Sequence, residues 1–181
     1  MERTIFCPFL YKYLNMTEFQ KYIHNYLGLI PSSDWIQEMK NSGDETLELY
    51  GNLSEEQSYF AYAEGKWSLK ILLQHLIDAE KIFNYRALRF SRNDQTELPA
   101  WDEVQYGANN NVADYTLVEL IEEFKLIRKI SFLFFKNLNS EILQKTGVAN
   151  KHEISVELLG KLIVGHNIHH LNIIKERYLK N

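Results

Sequence analysis

The chain has 181 residues, long enough for one domain with a sizeable buried core. It carries 20 basic against 24 acidic residues, a formal charge of −4, with no strongly basic cluster. A duplex-binding surface needs such a cluster to neutralise phosphates, so nucleic acid is not an expected partner. The single cysteine, Cys7, excludes an intrachain disulfide and a thiolate zinc cluster, and fits a reducing cytoplasm.

No apolar run approaches the ~20 residues needed to cross a bilayer, so no membrane partner is expected. The opening MERTIFCPFLYKYLN lacks the basic start, apolar core and small-residue cleavage site of a secretory signal. With three prolines, eight glycines and little strand-like alternation, the composition favours helix. Residues 1–15 read either as a dispensable arm or as the mark of an alternative start site, because Met16 opens a segment that runs more smoothly into the rest. Residues 16–30, with Phe19, Tyr22, Ile23, Tyr26 and Leu27, read as a short helix or extended lead-in packed against the later helices.

Four later segments show the 3–4 spacing of a buried helical face. The first spans about 34–50, after Pro31 and the candidate caps Ser32 and Ser33, with Trp35, Ile36, Met39, Gly43, Leu47 and Tyr50 as its stripe. The second starts after Trp67–Ser68 and continues to about Ser91, with Leu69, Leu72, Leu73, Leu76, Phe83, Ala87 and Phe90 along one side. The third opens on a capping box, Thr116 followed three residues later by Glu119, and continues through Leu117, Leu120, Ile121, Phe124, Phe134 and Leu138. The fourth runs from near Ser155 to Tyr178.

Four such helices can close around one core, so the expected fold is all-α: a four-helix bundle in one domain, with a long connection between the second and third helices. That connection, 92–115, contains LPAWDEVQYGANNN and is expected to cross the end of the bundle and shape a pocket there. The segments 51–67 and 139–154 read as moderate loops.

Six histidines occur. On a helical wheel with Leu159 as reference, His166 and His170 fall within about 20° of that line, in the middle of the buried stripe. His169 falls near its edge. His75 on the second helix shares a side with Ile71, Ala79, Ile82 and Arg86, and can face the interior. An imidazole pair at i and i+4 lets two nitrogens converge on one ion at ~2.0–2.1 Å, and a third ligand from another helix leaves a position for water or substrate. Spacing alone leaves the alternative open that these are hydrogen-bonded core histidines. His24 and His152 read as surface or packing residues.

The segment GKWSLKILLQHLIDAEKIFNYRALRFSRND resembles the second-helix signature of the DinB-like (DinB/YfiT) superfamily, ELPAWDE its following loop, and GHNIHHLNIIKERYL its closing Gly-His-x-x-His-His segment. The likeness covers roughly residues 22–179 in the right order. It implies a four-helix bundle that binds a divalent ion, zinc or nickel, through His75, His166 and His170, with His169 as a neighbour that is not a ligand.

Other residues read as site candidates. Asp102, in the long loop, and Arg86, on the His75 face, are the catalytic candidates: the acid as a general base, the arginine as a carboxylate binder or the partner of an internal acid. Asp78 is expected to face solvent, and Glu80 to pair with Arg86 or Lys81. Trp67, Trp101 and Tyr106 are candidate pocket walls, and Gly160 and Gly165 suggest close backbone approach near His166. The resemblance favours a metal-dependent transferase that adds a low-molecular-weight thiol, of the bacillithiol type, to an electrophile. The alternatives are a metal-dependent hydrolase, which a carboxylate such as Asp102 beside the ion would favour, and a non-catalytic metal-binding stress protein. The exposed aromatics of residues 1–30 suggest a homodimer.

Overall fold

The computed structural model describes residues 16–179, so the arm expected at residues 1–15 lies outside the described residues. Helix α1 spans Glu18–Leu27 and opens on a capping box between Thr17 and Gln20. The four long helices are α2 (Trp35–Gly51), α4 (Leu69–Ser91), α6 (Leu117–Lys136) and α8 (Val156–Ile173), the last extended by a π turn over Ile174–Tyr178. Short helices α3 (Glu55–Ser58), α5 (Glu103–Ala108) and α7 (Ser140–Leu143) interrupt the connections, together with a 3-10 turn at Val112–Asp114. Every long helix starts at a side-chain cap: Asp34, Ser68, Thr116 and Ser155 each accept a backbone N–H from the first turn. The first cap is Asp34 rather than Ser32 or Ser33; Ser32 instead bonds the Glu38 side chain.

The helices form a four-sided bundle in which α4 packs beside α8 and α6, and α2 beside α6 and α8. The direction of each follows from its contacts. Tyr50 at the end of α2 donates to the Leu69 carbonyl at the start of α4, so these two run oppositely. Lys81 pairs with Glu123 and Asn84 with Ser131, so α4 and α6 run the same way. Thr46 meets Asn167, and Trp35 packs against Gly160, so α2 and α8 are also parallel.

Two parallel neighbours cannot be joined across one end. The 92–115 connection therefore does not cap the bundle, as the sequence suggested, but travels back along it. Leu98 pairs with Val148 and Asn150, the Pro99 carbonyl meets Arg86, Trp101 lies over His75, and the Tyr115 carbonyl accepts from Lys70 at the opposite end.

The segment 139–154 is not simply a loop either. It contains an antiparallel hairpin, β1 (Thr146–Ala149) and β2 (His152–Ser155), turned by Asn150 and Lys151, both at positive φ. The 51–67 segment holds α3, whose Glu55 accepts from the wholly buried Lys70 (2.5 Å) and from the first amide of α6 (2.6 Å).

The core divides into two apolar halves. One gathers Trp35, Phe83, Phe90, Phe135 and Leu159; the other gathers Tyr50, Leu73, Leu120, Phe124 and Ile174. On α6 the buried aromatic near the C-terminus is Phe135, whereas Phe134 is only half-buried and Leu138 lies past the helix end. Between the halves sits a polar layer of Ser42, Thr46, Glu80, Arg128, Ser131 and Asn167, all buried. Glu80 therefore pairs with neither Arg86 nor Lys81. It takes two bonds from Arg128 (3.1 and 2.8 Å) and one from Ser131 (2.5 Å). Among the described residues no helix is long and apolar enough to cross a membrane.

Candidate metal centre

Adjacent to the polar layer, α8 presents His166 and His170 one turn apart, and the neighbouring α4 presents His75. The wheel position of the pair is reproduced, because Leu159, Leu162 and Ile163 bury the same face. Two features fix the rotation of α8. Asn167 accepts from Arg128 (2.9 Å) and donates to Thr46 (2.8 Å). At Gly165 an added Cβ would lie 2.4 Å from the Tyr26 carbonyl oxygen, so glycine lets α1 press directly on α8. Gly160 likewise admits the Trp35 ring. Tyr26 then packs edge-on against His166 and the half-buried His169.

The three Nε2 atoms form a nearly equilateral triangle: 3.0 Å from His75 to His166, 3.2 Å from His75 to His170 and 3.1 Å from His166 to His170. Ring centroids are farther apart, 4.5–4.9 Å, so the rings converge tip first. Burial holds all three neutral. It pushes His75 down to about 4, with the charge of His169 adding to the effect. His166 and His170 lie well below the ordinary histidine range, again through burial first and the neighbouring imidazoles second. Each neutral ring carries one N–H, so the three nitrogens either hydrogen-bond one another through suitable tautomers or turn their lone pairs on one shared cation.

The spacing suits such an ion. Donors at ~2.0–2.1 Å from a common centre stand about 3.3 Å apart in a tetrahedron and about 2.9 Å apart on an octahedral face. The triangle lies between the two, so it suits zinc and nickel alike. The His170 Nδ1, on the far side of its ring, is buried with no hydrogen-bond partner among the described residues.

Around the triangle lie the other candidates. Trp67 packs 4.9 Å and Trp101 5.9 Å from the His75 ring; Phe83 stands 6.3 Å from His166. Trp67 reaches its place because α5 offers Gly107, whose missing side chain makes room for the indole. A cavity of about 310 Å³ opens on His170 between Trp67, Tyr62, Lys66 and Arg177. A second, of about 340 Å³, lies behind Trp101 and Phe83 and is lined by Arg86.

The acids are placed elsewhere. Asp102 is exposed and caps α5 by accepting from the Gln105 amide (3.0 Å). Asp78, only partly buried, borders a separate polar cavity with Tyr106, Gln74 and Lys81. Among the described residues the cluster within ligand reach contains only the three histidines. His152, which the sequence reads as a surface or packing residue, stacks on Phe19 at 3.8 Å and borders the Arg86 cavity.

An all-α bundle with three convergent imidazoles defines a class, a helical protein with three side chains that could hold one metal ion. Comparison with known proteins then places the chain: residues 38–174 match the model of the DinB superfamily, and the chain belongs to that superfamily. A protein of Oceanobacillus iheyensis named "putative metal-dependent hydrolase OB0413" is 23% identical over 145 residues, covering 78% of this chain and 82% of that one. YfiT from Bacillus subtilis, described as "a probable metal-dependent hydrolase with an unusual four-helix bundle topology", superposes with a TM-score of 0.68 at 17% identity. The match covers 89% of this chain and 87% of YfiT, and shows the shared fold.

Proposed function

We propose that the chain is a metal-dependent enzyme in which His75, His166 and His170 hold one divalent ion, zinc or nickel, and which transfers a low-molecular-weight thiol to an electrophile. The observation that carries the metal dependence is the triangle of Nε2 atoms 3.0–3.2 Å apart, supplied by two helices. When bound there, a divalent ion supplies positive charge that favours a thiolate over a thiol. The protein's share is positional. The imidazoles stay neutral and available, Trp67 and Trp101 wall the centre on the His75 side, and the two flanking cavities give room for two reactants. In the reaction the thiol gives its proton to solvent, and its sulfur bonds to the electrophilic carbon. The group displaced from that carbon leaves with its electron pair.

Hydrolysis is the second reading, with water in place of the thiol. The names of the Oceanobacillus protein and of YfiT support it. Against it stands the engagement of Asp102 as a helix cap, which leaves that carboxylate away from the imidazoles. Pairing into a homodimer belongs to the same proposal, and sedimentation of the purified protein tests it.

Elemental analysis and a paired screen of thiol conjugation and ester or amide hydrolysis test the reading. Wild-type protein is expected to carry one ion per chain and to conjugate a thiol. His166→Ala is expected to lose both. Unchanged turnover in the variant or in metal-stripped protein refutes the proposal; hydrolysis without conjugation selects the second reading.

A further inference from the structure

Arg128 and Arg86, 6% and 7% exposed, are both buried in the bundle, and their surroundings differ sharply. Arg128 uses all five of its N–H donors: two to Glu80 and one each to the Met39 carbonyl, Ser42 and Asn167. Arg86 makes a single bond, from Nη2 to the Pro99 carbonyl at 2.8 Å, and has no carboxylate partner among the described residues. A guanidinium keeps its proton even when buried, so most of the donors of this charge are left to whatever fills the cavity beside it.

What faces Arg86 is the cavity of about 340 Å³. One side of it is apolar and aromatic, with Phe83, Trp101, Ile154 and Leu162, while Glu18, Glu103, Asn150 and His152 make the rest of the lining polar. Phe83 and Trp101 are also the rings that pack on His166 and His75, so the cavity and the histidine centre share a wall.

We propose that Arg86 anchors the carboxylate of a small substrate whose apolar body fills this cavity and reaches toward the histidine centre; the assignment rests on the metal-dependent reading above for its role in turnover, but not for binding. The planar fork of a guanidinium matches a carboxylate through two parallel N–H···O bonds. A carboxylate fits better than a phosphate. Glu18 and Glu103 also border the cavity and outnumber its one arginine, so a singly charged carboxylate held on the guanidinium is opposed less than a phosphate dianion. The volume lies at the small end of ligand sites, which suits a compact molecule.

The test uses benzoate, its neutral isostere benzamide, and phenyl phosphate, each titrated calorimetrically into metal-loaded and metal-stripped full-length protein. Benzoate is expected to bind at least about tenfold more tightly than benzamide in both forms, equivalent to about 1.4 kcal/mol. Arg86→Gln is expected to erase that preference while keeping one ion per chain. Arg86→Lys, which preserves the charge without the fork, retains part of it and serves if the glutamine variant does not fold. Equal affinity for benzoate and benzamide in wild-type protein overturns the proposal, as does an undiminished preference in Arg86→Gln. A preference for phenyl phosphate overturns the carboxylate assignment. Benzoate binding that vanishes when metal is stripped places the anion on the ion instead, and overturns the anchor while leaving the metal reading intact. If no ion binds but the Arg86-dependent preference persists, the metal reading fails and the anchor stands.

Discussion

Replacing Arg128 with methionine tests the polar layer that sets the rotation of α8. The change removes five hydrogen bonds at once and leaves the Glu80 carboxylate, only 3% exposed, with Ser131 as its remaining partner. Stripping one member from a buried ion pair costs about 3–5 kcal/mol, because the surviving charge stays desolvated. For a chain of this size that corresponds to a fall in Tm of about 10 °C. Urea denaturation followed by circular dichroism measures the loss. The partner experiment is the double variant Arg128→Met with Glu80→Met, which removes both charges. Its destabilisation is expected to be smaller than the sum of the two single losses, since no uncompensated ion remains. A single-variant loss below about 1 kcal/mol, the range of solvent-exposed pairs, refutes the reasoning, as does strict additivity in the double variant.

Further outcomes follow from other parts of the molecule. In metal-free protein the unfolded chain protonates His75 below about pH 6.5, whereas the folded chain does so only near pH 4. The stability tied to this residue is therefore fully present above 6.5 and falls by about 3 kcal/mol as the pH drops toward 4, with His166 and His170 acting in the same direction. Urea titrations across that window check the sign, and a flat profile contradicts it. Gly165→Ala is expected to displace α1, because the new methyl meets the Tyr26 backbone; faster amide exchange across residues 18–27 with little change in α6 is the signature. Lys151→Gly relieves a positive φ of 63° in the hairpin turn and is expected to raise stability by about 1 kcal/mol, read from the urea midpoint.

Much of this molecule was legible in the residues. Strong periodicity, together with the Thr116–Glu119 capping box, located three of the long helices to within a residue or so of their starts. The i, i+4 pair in the middle of a buried stripe marked two members of the imidazole triangle. What escaped was decided by tertiary partners. Ser32, Ser33 and Asp34 are all competent caps, and only the path of the chain selects the last. The hairpin hid because its turn uses Asn150–Lys151, without the glycine that usually announces a two-residue turn. Glu80 looked close enough in sequence to reach Arg86 or Lys81, but its partner is 48 residues away on α6. The course of the 92–115 connection depends on α4 and α6 being parallel, which amphipathicity does not encode. Local pattern gives faces; it does not give directions.

The separation of 91 positions between His75 and His166 carries a consequence for how the fold is held. An ion gripped by both would act as a reversible staple between distant stretches of polypeptide, shrinking the freedom of the unfolded chain whenever it stays bound there. A covalent tie around a loop of that length is worth about 4–5 kcal/mol. Supply of the ion and durability of the architecture would then rise and fall together, so that starvation for the metal would loosen the junction of α4 and α8 first.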